Sequence, residues 1–581
     1  MTTNRRRVAV VGAIAALSVG ALAACGGAGG SGGSSSSAAK GTLYYLTQTS
    51  AKPEHLDPQR VYIGRDITNL SRLVYRQLVT FPDSADKTAG VTPVPDLATN
   101  TGTSSNGAKT WQFTLKDGVK WQDGKAITCD DLKYGASRVF AQSVIPGGPN
   151  YLVAYLNIPT NKDGSSIYAG PYDKSAANQA GQAAFDKAVT CNGNTITYDF
   201  KKPWPDFPLA IAALHMMDPY RQDKDQGDKS NYSVFSDGPY ELQGTWNQNT
   251  GGTFVRNPNY DAATDSTTVR KALPNKIVFQ VTSDAETIAD RLIADTGNDK
   301  NAVTDRSVPS SRFSQLNSDS VKSRLTSVSS PYIDYLQMNM KRLSNPLVRQ
   351  ALYEATSPQA WIDAGGGSKA YLPAHSIVNP VVHGYQPNPA FNAPLSGDAA
   401  KAKQLLQQAG VKTPYPINFM YEKTTTADKQ AAALKSSWEQ AGFKVTLTGI
   451  DADNYYSTIQ KPSNNGDLYW AGWGADWPSA ITVTPPLFDG RINLTKTSSQ
   501  NDYGQYNSPA FNKLVDEAQN ASTLDAQTTA LQKADAQLGK DYAYVPLENQ
   551  VFNLLHGSNV TNYLQTPSSN GYPDLGGINV K

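Results

Sequence analysis

The chain has 581 residues, of which 39% are hydrophobic and 18% charged, with a formal net charge of +2. That balance supports a large globular body, of more than one lobe for this length. It excludes nucleic-acid binding, since no Lys/Arg stripe exists beyond the N-terminus. It also excludes a second membrane span, because no later apolar run approaches about 20 residues.

Arg5, Arg6 and Arg7 precede an apolar run from Val8 to Ala24, which ends in Leu22-Ala23-Ala24-Cys25. This is the layout of a bacterial export signal, residues 1–24. A cysteine just after the small residues matches a lipobox, in which Cys25 carries lipid and becomes the first mature residue. The alternatives are a plain signal peptide with an incidental cysteine, or an uncleaved anchor. Whether the arginines also form a twin-arginine signal stays open. Residues 25–40 are mainly Gly, Ser and Ala, which cannot bury surface and form a slack tether. Its reach is roughly 20 Å. An exported, tethered body belongs on the outer face of the cell membrane.

Setting Cys25 aside leaves Cys129 and Cys191. In an oxidising compartment such a pair favours a disulfide over two free thiols.

In chain order, Lys40 to Thr47 predicts a strand, and His55-Leu56-Asp57-Pro58 a turn. Leu70, Leu73, Val74 and Leu78 recur at helical spacing. Trp111, Phe113 and Leu115 alternate with polar residues, as in a half-buried strand. Asp117-Gly118 and Asp123-Gly124 turn the chain, with Val119-Lys120-Trp121 continuing the strand between them. Thr128 and Asp131 form a capping box for a helix towards Phe140. Ile196, Tyr198 and Phe200 alternate after the Asn192-Gly193 turn. Asn345-Pro346 starts another helix, with the proline at its first position. Ile417 to Tyr421, a helix from about 427 to 441, and Phe443 to Ile450 make a βαβ unit. Ser508-Pro509 opens a further helix. The region from about 320 to 545 is therefore an α/β lobe with a partly parallel sheet.

Several stretches then fall in one order: Leu56-Asp57-Pro58, Leu73-Val74-Tyr75-Arg76-Gln77-Leu78, and Pro95-Asp96-Leu97-Ala98. The block Trp111-Gln112-Phe113-Thr114-Leu115-Lys116-Asp117-Gly118-Val119-Lys120-Trp121-Gln122-Asp123-Gly124 comes next, followed by Asp237-Gly238-Pro239-Tyr240. Val348-Arg349-Gln350-Ala351-Leu352, Ala402-Lys403-Gln404-Leu405-Leu406 through Ala409-Gly410, Gly472-Trp473-Gly474-Ala475-Asp476-Trp477, Tyr506-Asn507-Ser508-Pro509 and Tyr544-Val545-Pro546-Leu547 complete the set. Together they resemble the bacterial extracellular solute-binding proteins of family 5, over essentially the whole mature chain.

The resemblance implies an α/β, two-lobed clamp of the periplasmic-binding-protein type, with an extra α+β domain inserted in lobe 1. Lobe 1 would comprise 41–80, 205–320 and 547–581, the insertion 80–204, and lobe 2 321–546. Ligand is trapped between the lobes and handed to the permease and ATPase subunits of an ABC importer. The clamp is expected to be a monomer without cofactor or metal. In peptide-binding members the acid of a Gly-Trp-x-x-Asp motif holds the ligand's α-ammonium, which assigns that role to Asp476. Ala471, Gly472 and Trp473 would pair with the ligand main chain, opposite a wall from Val61 to Gly64 that includes Tyr62 and Ile63. Trp470 stands where some members carry an arginine for the ligand carboxylate. Lys423 is a candidate replacement, or else a solvated loop lysine. Trp470, Trp473 and Trp477 would line side-chain pockets or stack on sugar rings, unless some of them belong to the core.

Three readings follow: an oligopeptide importer component, an oligosaccharide or other small-solute binder of the same fold, or a clamp serving as sensor or surface protein. No HExxH or CxxC motif occurs, the GxSxG pattern falls only in the Gly/Ser tether at Gly29 to Gly33, and the five histidines show no ligand or triad spacing. An enzyme is not expected.

Overall fold

The computed structural model describes residues 41–581. The export signal, Cys25 and the tether lie outside the described residues.

The chain enters through β1, Thr42–Gln48, whose side chains are almost all buried. Helix α1, Gly64–Leu73, follows after the Asp57 turn, where the Asp57 carbonyl accepts from the amides of Arg60 and Val61. The apolar spacing predicts that this helix runs on to Leu78, but it stops at Leu73. Side chains from elsewhere take over the backbone there: Asp237 accepts from the Arg76 amide at 2.8 Å and Asp96 from the Gln77 amide at 3.0 Å. Long-range partners thus outcompete local helical bonds.

The next segment builds a four-stranded antiparallel sheet from β2 (Thr103–Ser105), β3 (Thr110–Thr114), β4 (Val189–Asn192) and β5 (Thr195–Asp199), in the order β2-β3-β5-β4. The alternation seen in sequence has its expected effect. Trp111, Phe113, Ile196 and Tyr198 point inward, while Gln112 and Thr114 face solvent. Val119 to Trp121 does not continue β3, and its only sheet contact is a single bridge from Lys120 to Ala126. Helix α2, Cys129–Arg138, carries the complete Thr128–Asp131 capping box, and the short helix α3 spans Tyr151–Tyr155. Cys129, at the start of α2, is bonded to Cys191 in β4, with Cα atoms 5.9 Å apart. Closing a loop across their 62-residue separation lowers unfolded-chain entropy by about 4 kcal/mol in the loop-closure picture.

A five-stranded sheet follows. β6 (Tyr240–Asn247), β7 (Gly251–Arg256), β8 (Lys276–Thr282) and β9 (Ala302–Thr304) join β1 in the order β9-β1-β8-β7-β6. β1 pairs in parallel with both β8 and β9.

The third sheet has six strands: β10 (Leu325–Met338), β11 (Tyr371–Pro373), β12 (Tyr415–Glu422), β13 (Phe443–Ile450), β14 (Leu468–Gly474) and β15 (Tyr544–Leu555). Their order is β11-β15-β10-β14-β12-β13. Asn345 caps the helix Pro346–Ala355, as its sequence predicts. The βαβ unit is present, with β12 and β13 parallel in register around the helix Thr425–Gln440.

Two strands reach between cores. β10 and β15 are antiparallel over most of their length, with register shifts between Ser329 and Ile333 and between Asp334 and Tyr335. At one end Leu555 is buried with Tyr44, Leu46 and Leu292, next to β1. At the other, Leu336, Met338, Val545 and Leu547 belong to the core under the six-stranded sheet. The ribbon of β10 and β15 therefore carries the chain from one sheet to the other twice.

Candidate functional site

Asp476 follows β14 in a loop that is fixed by its own turn. The Asp476 amide donates to Thr482 Oγ1 at 3.2 Å, and the Trp473 indole donates to the Thr482 carbonyl at 2.9 Å. Its carboxylate then meets two phenols from distant parts of the chain. Tyr151 of α3 donates to Oδ2. Tyr62, just before α1, stands near enough to act on the same group. Burial pushes the Asp476 carboxyl above the ordinary carboxylate range, and the hydroxyls of Tyr151 and Tyr62 pull it back. No basic side chain is among the groups that set its ionisation.

A cavity of about 160 Å³ adjoins this carboxylate. Tyr62, Ile67 and Ser71 line it from the α1 side, and Gly474, Asp476 and Trp477 from the end of β14. The wall is mixed in character: apolar side chains surround a few hydroxyls, as in sites for small organic ligands.

β14 itself is paired on one side only along part of its length. All of Leu468 to Gly474 pair with β10, but only Leu468 and Tyr469 pair with β12. From Trp470 to Gly474 the other edge has no strand beside it among the described residues. The Tyr455 hydroxyl occupies the Trp470 carbonyl at 2.5 Å. Tyr456, from the helix Ala452–Ile459, reaches the Gly472 backbone, and Ala471 to Gly474 have no strand partner on this side among the described residues.

The tryptophans separate. Trp470 and Trp473 stand three residues apart on a strand, so they project from opposite faces of it. Trp477 is 1% exposed. Its indole donates to Asp206 at 2.5 Å and packs edge-on against Tyr151 at 4.7 Å. That ring is held by protein and has no free face for a sugar. Tyr62 and Ile63 are exposed, at 43% and 42%. Lys423, just past the end of β12, is also exposed and does not line the cavity.

Sequence reasoning missed Tyr151 and Asp206. Both come from the stretch around the four-stranded sheet, over 250 residues from Asp476 in sequence. Neither sits in a motif, so only the fold brings them to the site. Tyr332 and Pro331 of β10, which also line the cavity, carried no local mark either.

Residues 92–494 match bacterial extracellular solute-binding proteins, family 5. The chain is 25% identical over 524 residues to the periplasmic oligopeptide-binding protein OppA of Salmonella typhimurium, covering 88% of this chain and 87% of that one. It is 26% identical over 491 residues to the glutathione-binding protein GsiB of Salmonella paratyphi A, covering 80% and 83% respectively. Among solved structures, the clavulanic acid biosynthesis oligopeptide binding protein 2 superposes with a TM-score of 0.80 at 25% identity, over 94% of this chain and 96% of that one. With its α/β sheets, its two-strand ribbon between cores and its match over residues 92–494, the chain belongs to the bacterial extracellular solute-binding proteins of family 5 and has their two-lobed clamp fold.

Proposed function

We propose that this protein is the capture component of an ABC importer for an oligopeptide-like ligand. Asp476 holds the ligand's α-ammonium, and Ala471 to Trp473 pair with its main chain as an added strand. Tyr62 and Ile63 face it from the other lobe. The closed clamp hands the ligand to the permease and ATPase subunits. The protein works outside the cytoplasm, anchored to the outer face of the membrane by lipid on Cys25. The lobes divide as the resemblance implies: 41–80 with 205–320 and 547–581, an insertion at 80–204, and 321–546.

One observation carries the reading. Asp476 is a desolvated carboxylate with two phenol partners and no basic one, next to an open strand edge. An ammonium supplies the missing charge, in hydrogen bonds worth roughly 1.5–3 kcal/mol each. The oligopeptide- and glutathione-binding relatives support the same ligand class.

The test is thermal unfolding with tri- to pentapeptides, free or N-acetylated, and with oligosaccharides. A free peptide at a hundred times its Kd should stabilise the protein by about 2.7 kcal/mol. Acetylated peptides should stabilise it far less. A shift with a sugar and none with any peptide would overturn the reading.

A further inference from the structure

Beside the open edge of β14 lies a pair of acids with no base to match them. Asp334 of β10 and Glu548 of β15 are direct cross-strand partners. Glu548 is fully buried, and neither of its carboxylate oxygens accepts a hydrogen bond of good geometry. Asp334 retains 6% exposure and receives only a long contact from Gln550 Nε2, at 3.5 Å.

The surroundings add no positive charge. The Trp470 indole of β14 stands beside Asp334, and the Trp361 indole, from the helix Pro358–Gly365, stands beside Glu548. Glu422, at the end of β12, adds a third negative charge. Tyr371 of β11 and Tyr456 of the helix Ala452–Ile459 feel these acids as phenols. No Lys, Arg or His stands among the charges that chiefly act on either carboxyl.

Two buried carboxylates this close cannot both ionise alone. Burial holds Glu548 well above its ordinary range, and Asp334 is raised to about 6. Without ligand, the pair therefore shares a proton. A cation is the other way to neutralise it. The described residues offer no group of three or more acids, imidazoles or thiols that could hold a metal ion, and the peptide reading of the cleft supplies an organic cation.

Gly472 is the cross-strand partner of Asp334 on the β14 side. A Cβ on Gly472 would stand 3.1 Å from Asp334 Oδ1. Glycine there leaves the Asp334 carboxylate room on that face of the sheet.

We propose that Asp334 and Glu548 form a subsite for a cationic side chain of the ligand, an ammonium or guanidinium that takes the place of their shared proton. The proton leaves to solvent as the cation enters. This rests on the peptide reading of the cleft and adds a preference for basic residues to it.

The test is titration calorimetry on the full-length protein in mild detergent, with trialanine and its variants carrying lysine, or isosteric norleucine, at each position in turn. At one position lysine should bind about tenfold more tightly than norleucine. At that position about one proton should be released, read from buffers of different ionisation enthalpy. The lysine preference should grow as pH rises through about 6. Asp334→Asn with Glu548→Gln, which keeps shape and removes both charges, should abolish it. Gly472→Ala, which covers Asp334 without changing charge, should weaken it. Equal binding of lysine and norleucine at all three positions, while trialanine binds, would overturn this inference and leave the peptide reading intact. An unchanged lysine preference in both variants would also overturn it. Binding of none of the peptides would overturn both.

Discussion

The Arg138 guanidinium donates to both carboxylate oxygens of Asp57, at 2.8 and 2.6 Å, with neither side chain exposed. Its Nε also donates to Asp225 at 2.8 Å, and its plane lies 3.7 Å from the centre of the Tyr220 ring. One residue of α2 thus fixes the turn before α1 to the chain that returns to the five-stranded sheet. The burial cost of such a pair is met only while both charges are present.

Arg138→Met should therefore destabilise the protein by about 3–5 kcal/mol, since it leaves Asp57 buried and unpaired. Urea unfolding reads the change as a lower midpoint. A midpoint within error of the parent would show that the network contributes little.

Tyr151→Phe tests the ionisation of Asp476. Peptide binding through an ammonium needs the carboxylate, so affinity falls as pH drops through the Asp476 pKa, which burial has raised. The Tyr151 hydroxyl lowers that pKa. Removing it should move the midpoint of the affinity–pH profile to higher pH. Fluorescence titration across pH is the measurement. An unmoved midpoint would assign the pH dependence to another group.

Gly135→Ala opposes two effects. Alanine in α2 should favour the helix by about 1 kcal/mol. Its Cβ, however, would stand 1.9 Å from the Asp218 carbonyl oxygen. Backbone cannot yield as a side chain does, so packing wins and the variant should lose about 1–3 kcal/mol. A thermal melt decides the sign, and a higher Tm would show that α2 can shift away from Asp218.

Much of this fold was legible because local chemistry and tertiary structure agree. Thr128 and Asp131 make their capping box in sequence and in space. Asn345 and Pro346 start their helix, and the parallel pairing of β12 and β13 follows from the strand, helix, strand pattern. The segment from Val74 to Leu78 misled, because Asp96 and Asp237 supply hydrogen bonds that no window of neighbouring residues contains. The site divides in the same way. Asp476 and β14 stand in a contiguous motif, whereas Tyr151 reaches that carboxylate only through the packing of the segment around the four-stranded sheet. Asp334 and Glu548 did leave a mark: each is the one acid in its strand. Their pairing could not be foreseen without the register, which is irregular at that point.

The half-paired edge of β14 has a consequence for what can reach it. Unpaired strand backbone normally invites other sheets and is a hazard for aggregation. Here the same backbone, from Trp470 to Gly474, is buried or half-buried, with Trp470 and Trp473 along it and the Asp476 loop closing its end. A folded neighbour is too wide to lay a strand there. A short, extended chain of the kind the proposed function calls for would meet less of that barrier, so recession of the edge would work as a size filter.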